Sequence, residues 1–258
     1  MKVITSTDNP RFRKLLKLVQ SSRERKHSGL SLLDGVHLVE AYQHHAGPPD
    51  ELVVSRGGLD NPEVRALLDG AGGDALVLGD ALFRQLSSVA TPTGIIAVVP
   101  TPRVAVPERL SGSSVWLEDI QDPGNLGSIL RSAAAAGVAT VCLSRQSVHA
   151  WSPRVLRAGM GAHFALRIIE GADLVELADR YDGCLVATSL KAKKTIYDTD
   201  LRGDVALLFG NEGAGLSAAL AAKARVQACI PMPGTAESLN IGAAAAICLF
   251  ERVRQLRA

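Results

Sequence analysis

The sequence predicts an α/β protein in which a smaller α/β unit precedes a larger one built on a mostly parallel sheet. Three observations carry this reading. Short apolar runs free of charge alternate with amphipathic stretches from Leu30 onward, and repeated β-α-β alternation calls for parallel strands covered on both faces. The stretch from Val99 to Ser114 contains three prolines and little periodicity, so residues 100–112 read as a linker. A length of 258 residues with 47% apolar content is enough to fill real cores on both sides of it.

Asn9-Pro10 opens the first helix, with Phe12, Leu15, Leu16, Leu18 and Val19 as an apolar stripe among basic residues. Ser21 to Gly29 is a polar stretch with no assigned element, and residues 1–29 read as a basic N-terminal helical extension. The small unit, residues 30–99, then alternates. Strands are expected at Leu30–Leu33, Glu51–Val54, Ala75–Leu78 and Ile95–Val99, and helices at Val36–His45, Glu63–Leu68 and Leu82–Leu86.

In the large unit, residues 113–258, the expected strands are Val115–Leu117, Thr140–Leu143, Leu166–Ile169, Cys184–Ala187, Val205–Phe209 and Val226–Ile230. Helices are expected within Gly124–Ala136, from Ser152-Pro153 to Gly159 or Gly161, over Ala172–Tyr181 and Leu216–Ala224, and from about Ser238 to the end. The last helix places Leu239, Ala243, Ala246, Leu249 or Phe250, Val253 and Leu256 on one stripe, against which the same chain or a second copy could pack closely.

Composition narrows the function. No apolar run approaches membrane-spanning length and the N-terminus lacks a secretory pattern, so a cytoplasmic protein is expected. Cys142, Cys184, Cys229 and Cys248 form no C-x-x-C pair and lie in apolar runs, which fits buried reduced thiols; with six scattered histidines, no metal site is expected. Net charge is +2, yet residues 1–29 hold eight Lys or Arg against Asp8 and Glu24. Such a stretch fits contact with a polyanion, although on charge alone a solvated helix face is the plainer reading.

The stretch Val205–Gly242 carries the chemistry. The strand Val205–Phe209 runs into Gly210-Asn-Glu-Gly-Ala-Gly-Leu-Ser217, and the strand from Val226 runs into Pro231-Met-Pro-Gly-Thr-Ala-Glu-Ser-Leu-Asn240. Loops at the carboxyl edge of a parallel sheet are where ligands bind, and glycines let backbone groups approach one while Glu212, Ser238 and Asn240 supply donors and acceptors. The same residues also fit ordinary turns, with Ser238 as a helix N-cap. Earlier, Asn125 begins a helix and Arg131 follows nearly two turns later, so both can face one side; a cap and a surface arginine is the plainer alternative. No G-x-x-x-x-G-K-[ST] occurs, nor G-x-G-x-x-G between a first strand and helix, which disfavours a standard P-loop and a conventional NAD enzyme.

Three segments together resemble the motifs of the SpoU/TrmH RNA ribose methyltransferases: Asp122-Pro-Gly-Asn-Leu-Gly-Ser-Ile-Leu-Arg131, Leu208-Phe-Gly-Asn-Glu-Gly-Ala-Gly-Leu-Ser217 and Ile230-Pro-Met-Pro-Gly-Thr-Ala-Glu-Ser-Leu-Asn-Ile241. Ser152-Pro-Arg-Val-Leu-Arg-Ala-Gly-Met-Gly161 is similar to the family's connecting segment, and Leu33-Asp-Gly-Val-His-Leu-Val-Glu-Ala41 to the substrate-binding domain that precedes the catalytic one. The opening Ile4-Thr-Ser-Thr-Asp-Asn-Pro10 resembles members with a basic extension that act on ribosomal RNA. Asp34 stands where glutamate is usual and Gly242 where serine is common.

The resemblance implies a SPOUT-type fold whose C-terminal chain forms a trefoil knot, and a homodimer. It implies S-adenosylmethionine as cofactor, held around Gly210, Ile230 and Leu239 with Thr188 and Ser189 near the adenosine. It implies Arg131 as the central catalytic residue, assisted by Asn125, Glu212, Ser238 and Asn240, in 2′-O-methylation of RNA, ribosomal RNA first. Arg11, Arg13, Lys14, Lys17, Arg154 and Arg157 become candidates for RNA backbone contact. A tRNA methyltransferase, a non-catalytic RNA-binding protein of the same fold and, more remotely, a nicotinamide-dependent oxidoreductase are the competing readings.

Overall fold

The computed structural model describes residues 3–72 and 74–257; Lys2, counted above among the basic residues, lies outside them. The chain divides into two compact units, one made of Met1–Pro102 with Trp151–Phe164, the other of Arg103–Ala150 with Ala165–Ala258.

In chain order the first unit contains α1 (Pro10–Gln20), α2 (Ser22–Ser28), β1 (Leu30–Asp34), α3 (Val36–Ala46), β2 (Glu51–Ser55), α4 (Pro62–Gly70), β3 (Leu76–Leu78), α5 (Asp80–Leu86) and β4 (Ile95–Pro100). The four strands form one sheet in the order β1-β4-β2-β3, with β4 antiparallel to both neighbours. Asn9 caps α1 by accepting from the Arg11 amide, and Pro10 fills the first turn, where a missing N–H costs nothing. The apolar stripe of α1 is core: Phe12, Leu15 and Leu18 are buried together with Val53, Leu78, Phe83 and Ile96. Residues 10–28 therefore pack within this unit.

The polar stretch after α1, to which the sequence pattern assigns no separate element, is a second helix. Ser21 caps α2 through the Glu24 amide, and Gly29 ends it at φ 67°, a left-handed conformation suited to glycine. Polarity hides α2 because its key residue is a buried cation. Arg25 is only 6% exposed and its Nη1 donates to the Leu18 and Val19 carbonyls at 2.7 and 3.0 Å, satisfying the last turn of α1.

The helix α7 (Pro153–Gly159) packs on β1 within the same unit. A Cβ at Gly161, where φ is 85°, would come within 2.9 Å of the Ala41 Cβ, and Phe164 meets Tyr42 edge to face at 5.5 Å. Asp34, at the end of β1, accepts from the Ser87 and Ser88 hydroxyls and the Ser88 amide through Oδ2, which ties the shorter acid to the 87–88 turn.

The second unit holds β5 (Ser114–Leu117), α6 (Pro123–Ala135), β6 (Thr140–Ser144), β7 (Arg167–Ala172), α8 (Leu174–Ala178), β8 (Cys184–Thr188), β9 (Lys194–Thr195), β10 (Val205–Phe209), α9 (Ala218–Lys223), β11 (Val226–Cys229) and α10 (Ile241–Arg257). Its seven strands run β7-β6-β5-β10-β8-β11-β9 with every pairing parallel. Leu174 and Leu177 of α8 and Leu220 of α9 share a buried cluster with Trp116, Ala206 and Leu208, while α10 packs on α6 and β10.

Three expectations need correction here. The last helix begins at Ile241, not near Ser238, because Asn240 caps it by accepting from the Gly242 and Ala243 amides. Its buried side is Gly242, Ala245, Cys248 and Leu249, whereas Leu239, Ala243, Phe250 and Leu256 from the expected packing stripe are exposed. Burial of the thiols holds for Cys142 and Cys248, both pushed up to about 12 by desolvation, but Cys184 and Cys229 are only partly buried. The two-residue strand β9 was not expected at all.

Replacing Arg25 by Met removes the donors that close α1, and we expect a loss of about 1–3 kcal/mol of stability. A urea melt of Arg25→Met checks this against Arg23→Met, an exposed neighbour expected to stay within about 0.5 kcal/mol of wild type. Equal midpoints for the two variants would remove the structural role given to Arg25.

Candidate active site

The carboxyl ends of β8, β10 and β11 open into one cavity of about 740 Å³. Thr188 and Ser189 follow β8, Phe209 and Gly210 end β10, and Cys229 and Ile230 end β11; Asn125 of α6 and Asn240, Ile241 and Ala244 at the start of α10 complete the wall. Roughly 300–1,000 Å³ is the size of small-ligand sites. Parallel strands place these loops on one edge, and the glycines decide what lines it. A Cβ on Gly210 would fall 2.1 Å from the Gly215 carbonyl carbon and 2.2 Å from the Leu216 nitrogen, so the 210–217 loop closes against its own strand only because no side chain intervenes.

Glu212 ties this loop to the one after β5. Its carboxylate accepts from the Gln121 amide at 3.3 Å, the Asp122 amide at 3.2 Å and Asn125 Nδ2 at 3.1 Å. Burial pushes the Glu212 carboxyl up, but the Asn125 side chain and the backbone donors together outweigh it, so it is held below its ordinary value and is charged at neutral pH. Asn125 Oδ1 in turn accepts from Asn240 Nδ2 at 2.8 Å, and Asn240 Oδ1 is the cap of α10. Three polar residues from three motifs thus form one chain.

The loop after β5 is held from behind as well. Asp119 adopts φ 57°, costly for a residue with a Cβ. Its amide donates to Ser144 Oγ at 2.8 Å, Ser144 Oγ donates to Asp119 Oδ1 at 2.5 Å, and Asn211 Nδ2 donates to the Asp119 carbonyl at 2.9 Å. Asp122 caps α6 through the Asn125 amide. At Gly242 an added Cβ would crowd Ser128 Oγ at 3.2 Å and Asn240 Oδ1 at 3.1 Å, which accounts for glycine at this place.

Nine of the ten expected catalytic and cofactor-binding residues line the cavity: Asn125, Glu212, Ser238, Asn240, Thr188, Ser189, Gly210, Ile230 and Leu239. Arg131 does not. Six helical residues turn through about 600°, leaving Arg131 about 120° off the Asn125 face. It is exposed and, among the described residues, has no hydrogen-bond or ion-pair partner. Residues that spacing did not single out, Lys191, Phe209, Leu216 and Met232, also line the wall. Among the described residues no group of His, Cys, Asp or Glu is placed to hold a metal, and no helix is long and apolar enough to cross a membrane.

The candidates for RNA contact all fall in the first unit. Arg11 pairs with Glu51 and Arg13 with Asp8, Lys14 and Lys17 are exposed without a partner among the described residues, and Arg154 and Arg157 are exposed on α7. Arg157 reaches the Ser88 carbonyl at 3.4 Å. Arg25, counted in the basic stretch, is withdrawn into the core.

A cavity with a backbone floor, apolar walls and a few converging polar groups fits an adenosine-bearing ligand such as S-adenosylmethionine, and comparison with known proteins agrees. The SpoU rRNA Methylase family matches residues 112–250, and an MRM3-like substrate binding domain matches residues 9–97. The chain is 31% identical over 255 residues to 23S rRNA (guanosine(2553)-2'-O)-methyltransferase RlmP of Bacillus subtilis (strain 168), covering 97% of this chain and 98% of that one. It is 30% identical over 262 residues to 23S rRNA (uridine(2479)-2'-O)-methyltransferase of Streptomyces viridochromogenes, with 96% and 90% covered. The crystal structure of AdoMet-bound rRNA methyltransferase from Sinorhizobium meliloti superposes with a TM-score of 0.84 at 29% identity, over 99% of this chain and 98% of that one. With the parallel sheet, the three motif loops on one edge and matches of this extent, the chain belongs to the SpoU rRNA methylase family.

Proposed function

We propose that the chain transfers a methyl group from S-adenosylmethionine to a ribose 2′-oxygen of ribosomal RNA. The observation that carries this reading is the convergence of Asn125, Glu212, Ser238 and Asn240 on one cavity whose floor is the backbone at Gly210. When bound, S-adenosylmethionine supplies an electrophilic methyl group on its sulfonium sulfur. Backbone around Gly210, Ile230 and Leu239 would hold it, with Thr188 and Ser189 at the end of β8. The Thr188 hydroxyl already donates to the Leu208 carbonyl at 2.9 Å, so it is fixed in place as an acceptor.

Methyl transfer needs the ribose hydroxyl in line with the methyl group, and positioning supplies much of the acceleration. The chain Asn240–Asn125–Glu212 fixes the wall against which the ribose would lie, and Ser238, exposed at the cavity, offers a hydroxyl to orient it. Arg131, exposed on α6 outside the cavity wall and without a partner among the described residues, would have to reach the nucleotide from the cavity's rim. A guanidinium is a poor proton acceptor, so its role is to bind the nucleotide and stabilise negative charge as it develops on the oxygen. Glu212, committed to three donors, acts as scaffold rather than base.

Several finer features belong to the same reading. The first unit presents Lys14, Lys17, Arg154 and Arg157 to the RNA backbone, and Arg11 and Arg13 join once their surface ion pairs yield to phosphate. The exposed apolar residues of α10, Phe250 at 48% and Leu256 at 49%, support a homodimer. Return of the chain after the 230–240 loop to pack α10 on α6 and β10 supports a C-terminal knot. Activity on ribosomal RNA would support a cytoplasmic location.

The direct test is transfer of labelled methyl from S-adenosylmethionine to unmodified ribosomal RNA and to tRNA in parallel. Label should enter ribosomal RNA alone, and Arg131→Ala should lower the rate by about 10²–10³-fold; label confined to tRNA would sink the substrate assignment.

Glu212 has a depressed folded-state pKa, so its support of the site is present above its unfolded-state value and is lost as pH falls through the folded one. The Glu212→Gln variant should therefore be slower by roughly tenfold, with a pH–rate profile parallel to wild type through neutral pH. Loss of a limb in that range would make Glu212 a proton acceptor instead.

Because α1 is core, charge reversal probes its basic face better than truncation. Lys14→Glu with Lys17→Glu should flatten the salt dependence of RNA affinity by roughly 0.7 in log–log slope per lost phosphate contact. An unchanged slope would exclude α1 from the RNA interface.

A further inference from the structure

The segment Ser189-Leu-Lys-Ala-Lys-Lys-Thr-Ile-Tyr197 leaves β8 at the cavity, and beyond Ser189 it has no role in the account above. Ser189, Leu190 and Lys191 line the cavity. The chain then turns, with the Ala192 amide donating to the Ser189 carbonyl at 3.2 Å, and forms β9 on the open edge of the sheet. There Lys194 pairs with Ala228 and Thr195 with Cys229, at the end of β11 from which the 230–240 loop departs. The segment is well anchored. Ile196 is fully buried, Thr195 Oγ1 donates to Asp198 Oδ2 at 2.5 Å, and Thr199 Oγ1 donates to the Thr195 carbonyl at 2.9 Å.

What the anchored segment shows to solvent is unusual in kind. Lys191, Lys193 and Lys194 are all exposed, and residues 189–197 contain no acid. Lys191 and Lys193 have no side-chain partner among the described residues, and Asp200, the acid that Lys194 feels, is already bound in fork fashion by Arg202. Leu190 is 63% exposed and Tyr197 51%. Of the chain's three tyrosines, Tyr42 is buried and Tyr181 half-buried, so Tyr197 alone offers its ring to solvent.

Lysines on an edge strand often serve only to prevent edge-to-edge pairing. That explanation covers Lys194. It does not cover Lys191 at the cavity, nor an exposed leucine and an exposed aromatic ring, which a guarded edge would avoid. Cations for phosphates beside an aromatic platform for a base are the combination that binds single-stranded nucleic acid.

We propose that residues 189–197 form the RNA-contacting rim of the catalytic unit: Lys191, Lys193 and Lys194 engage phosphates flanking the target nucleotide, and Tyr197 stacks on a neighbouring base. This inference rests on the RNA methyltransferase reading. It divides substrate recognition in two, with one basic surface on the first unit and a second beside the reacting ribose.

The test uses the full-length protein, a ribosomal RNA transcript and labelled S-adenosylmethionine, with Lys193→Ala/Lys194→Ala, Tyr197→Ala and Tyr197→Phe compared to wild type. The double variant should lose roughly 1.4 from the log–log salt slope of RNA affinity, about 0.7 per phosphate contact on a single strand. Tyr197→Ala should bind RNA about tenfold more weakly and Tyr197→Phe should restore it. Cofactor affinity should be unchanged throughout. Wild-type slope and affinity in the variants, with wild type methylating the transcript, would overturn this inference alone. Lost cofactor affinity with unaltered RNA binding would do the same and make the segment a cover for the cofactor. Should wild type methylate no RNA, the parent reading fails and this one falls with it.

Discussion

A charged carboxylate at position 212 sets the direction of the hydrogen bonds that link Asn125 and Asn240 across the cavity. An ionised carboxylate only accepts, so Asn125 must turn its amide nitrogen toward Glu212 and its oxygen away. That oxygen can then only receive the nitrogen of Asn240, which leaves the Asn240 oxygen to cap α10. One charge thereby fixes the orientation of two side-chain amides and the first turn of a helix, drawn from segments far apart in sequence.

Much of this arrangement could be read from the sequence, and the failures have definite causes. Apolar runs bounded by glycine or aspartate marked the longer strands because a parallel strand is buried on both faces. β9 escaped because Lys194-Thr195 has no such run and joins the sheet by pairing with β11 at its edge. α2 escaped because Arg25 reads as surface charge, while its burial depends on carbonyls contributed by α1. The side of α10 was misjudged because alanines and a glycine give its faces little contrast: tertiary packing chose Gly242, Ala245 and Cys248 over the larger Phe250 and Leu256. Motif residues on loops converged on the cavity as expected. Arg131, on a regular helix, went where helical periodicity sends it.

The distribution of positive charge also follows a physical rule. Cations that build the protein are withdrawn or paired, as Arg25 is by carbonyls and Arg202 by Asp200. Lys14, Lys17, Lys191 and Lys193 have no such partner among the described residues, so a polyanion can claim them without first breaking a contact. Net charge near neutrality therefore says little about nucleic-acid binding here; the division between committed and uncommitted cations says more.

The membership of Trp151–Phe164 in the first unit bears on how the chain assembles as it is made. A nascent chain that has emerged only as far as Pro102 still lacks α7 and the Phe164 ring that seats against Tyr42. The substrate-binding unit, though encoded first, reaches its complete packing only after β5, α6 and β6 of the catalytic unit have been synthesised. An N-terminal unit that folded before its successor was made would lack these contacts. A gene fusion that borrowed residues 1–102 alone would leave β1 without α7 and Tyr42 without the Phe164 ring.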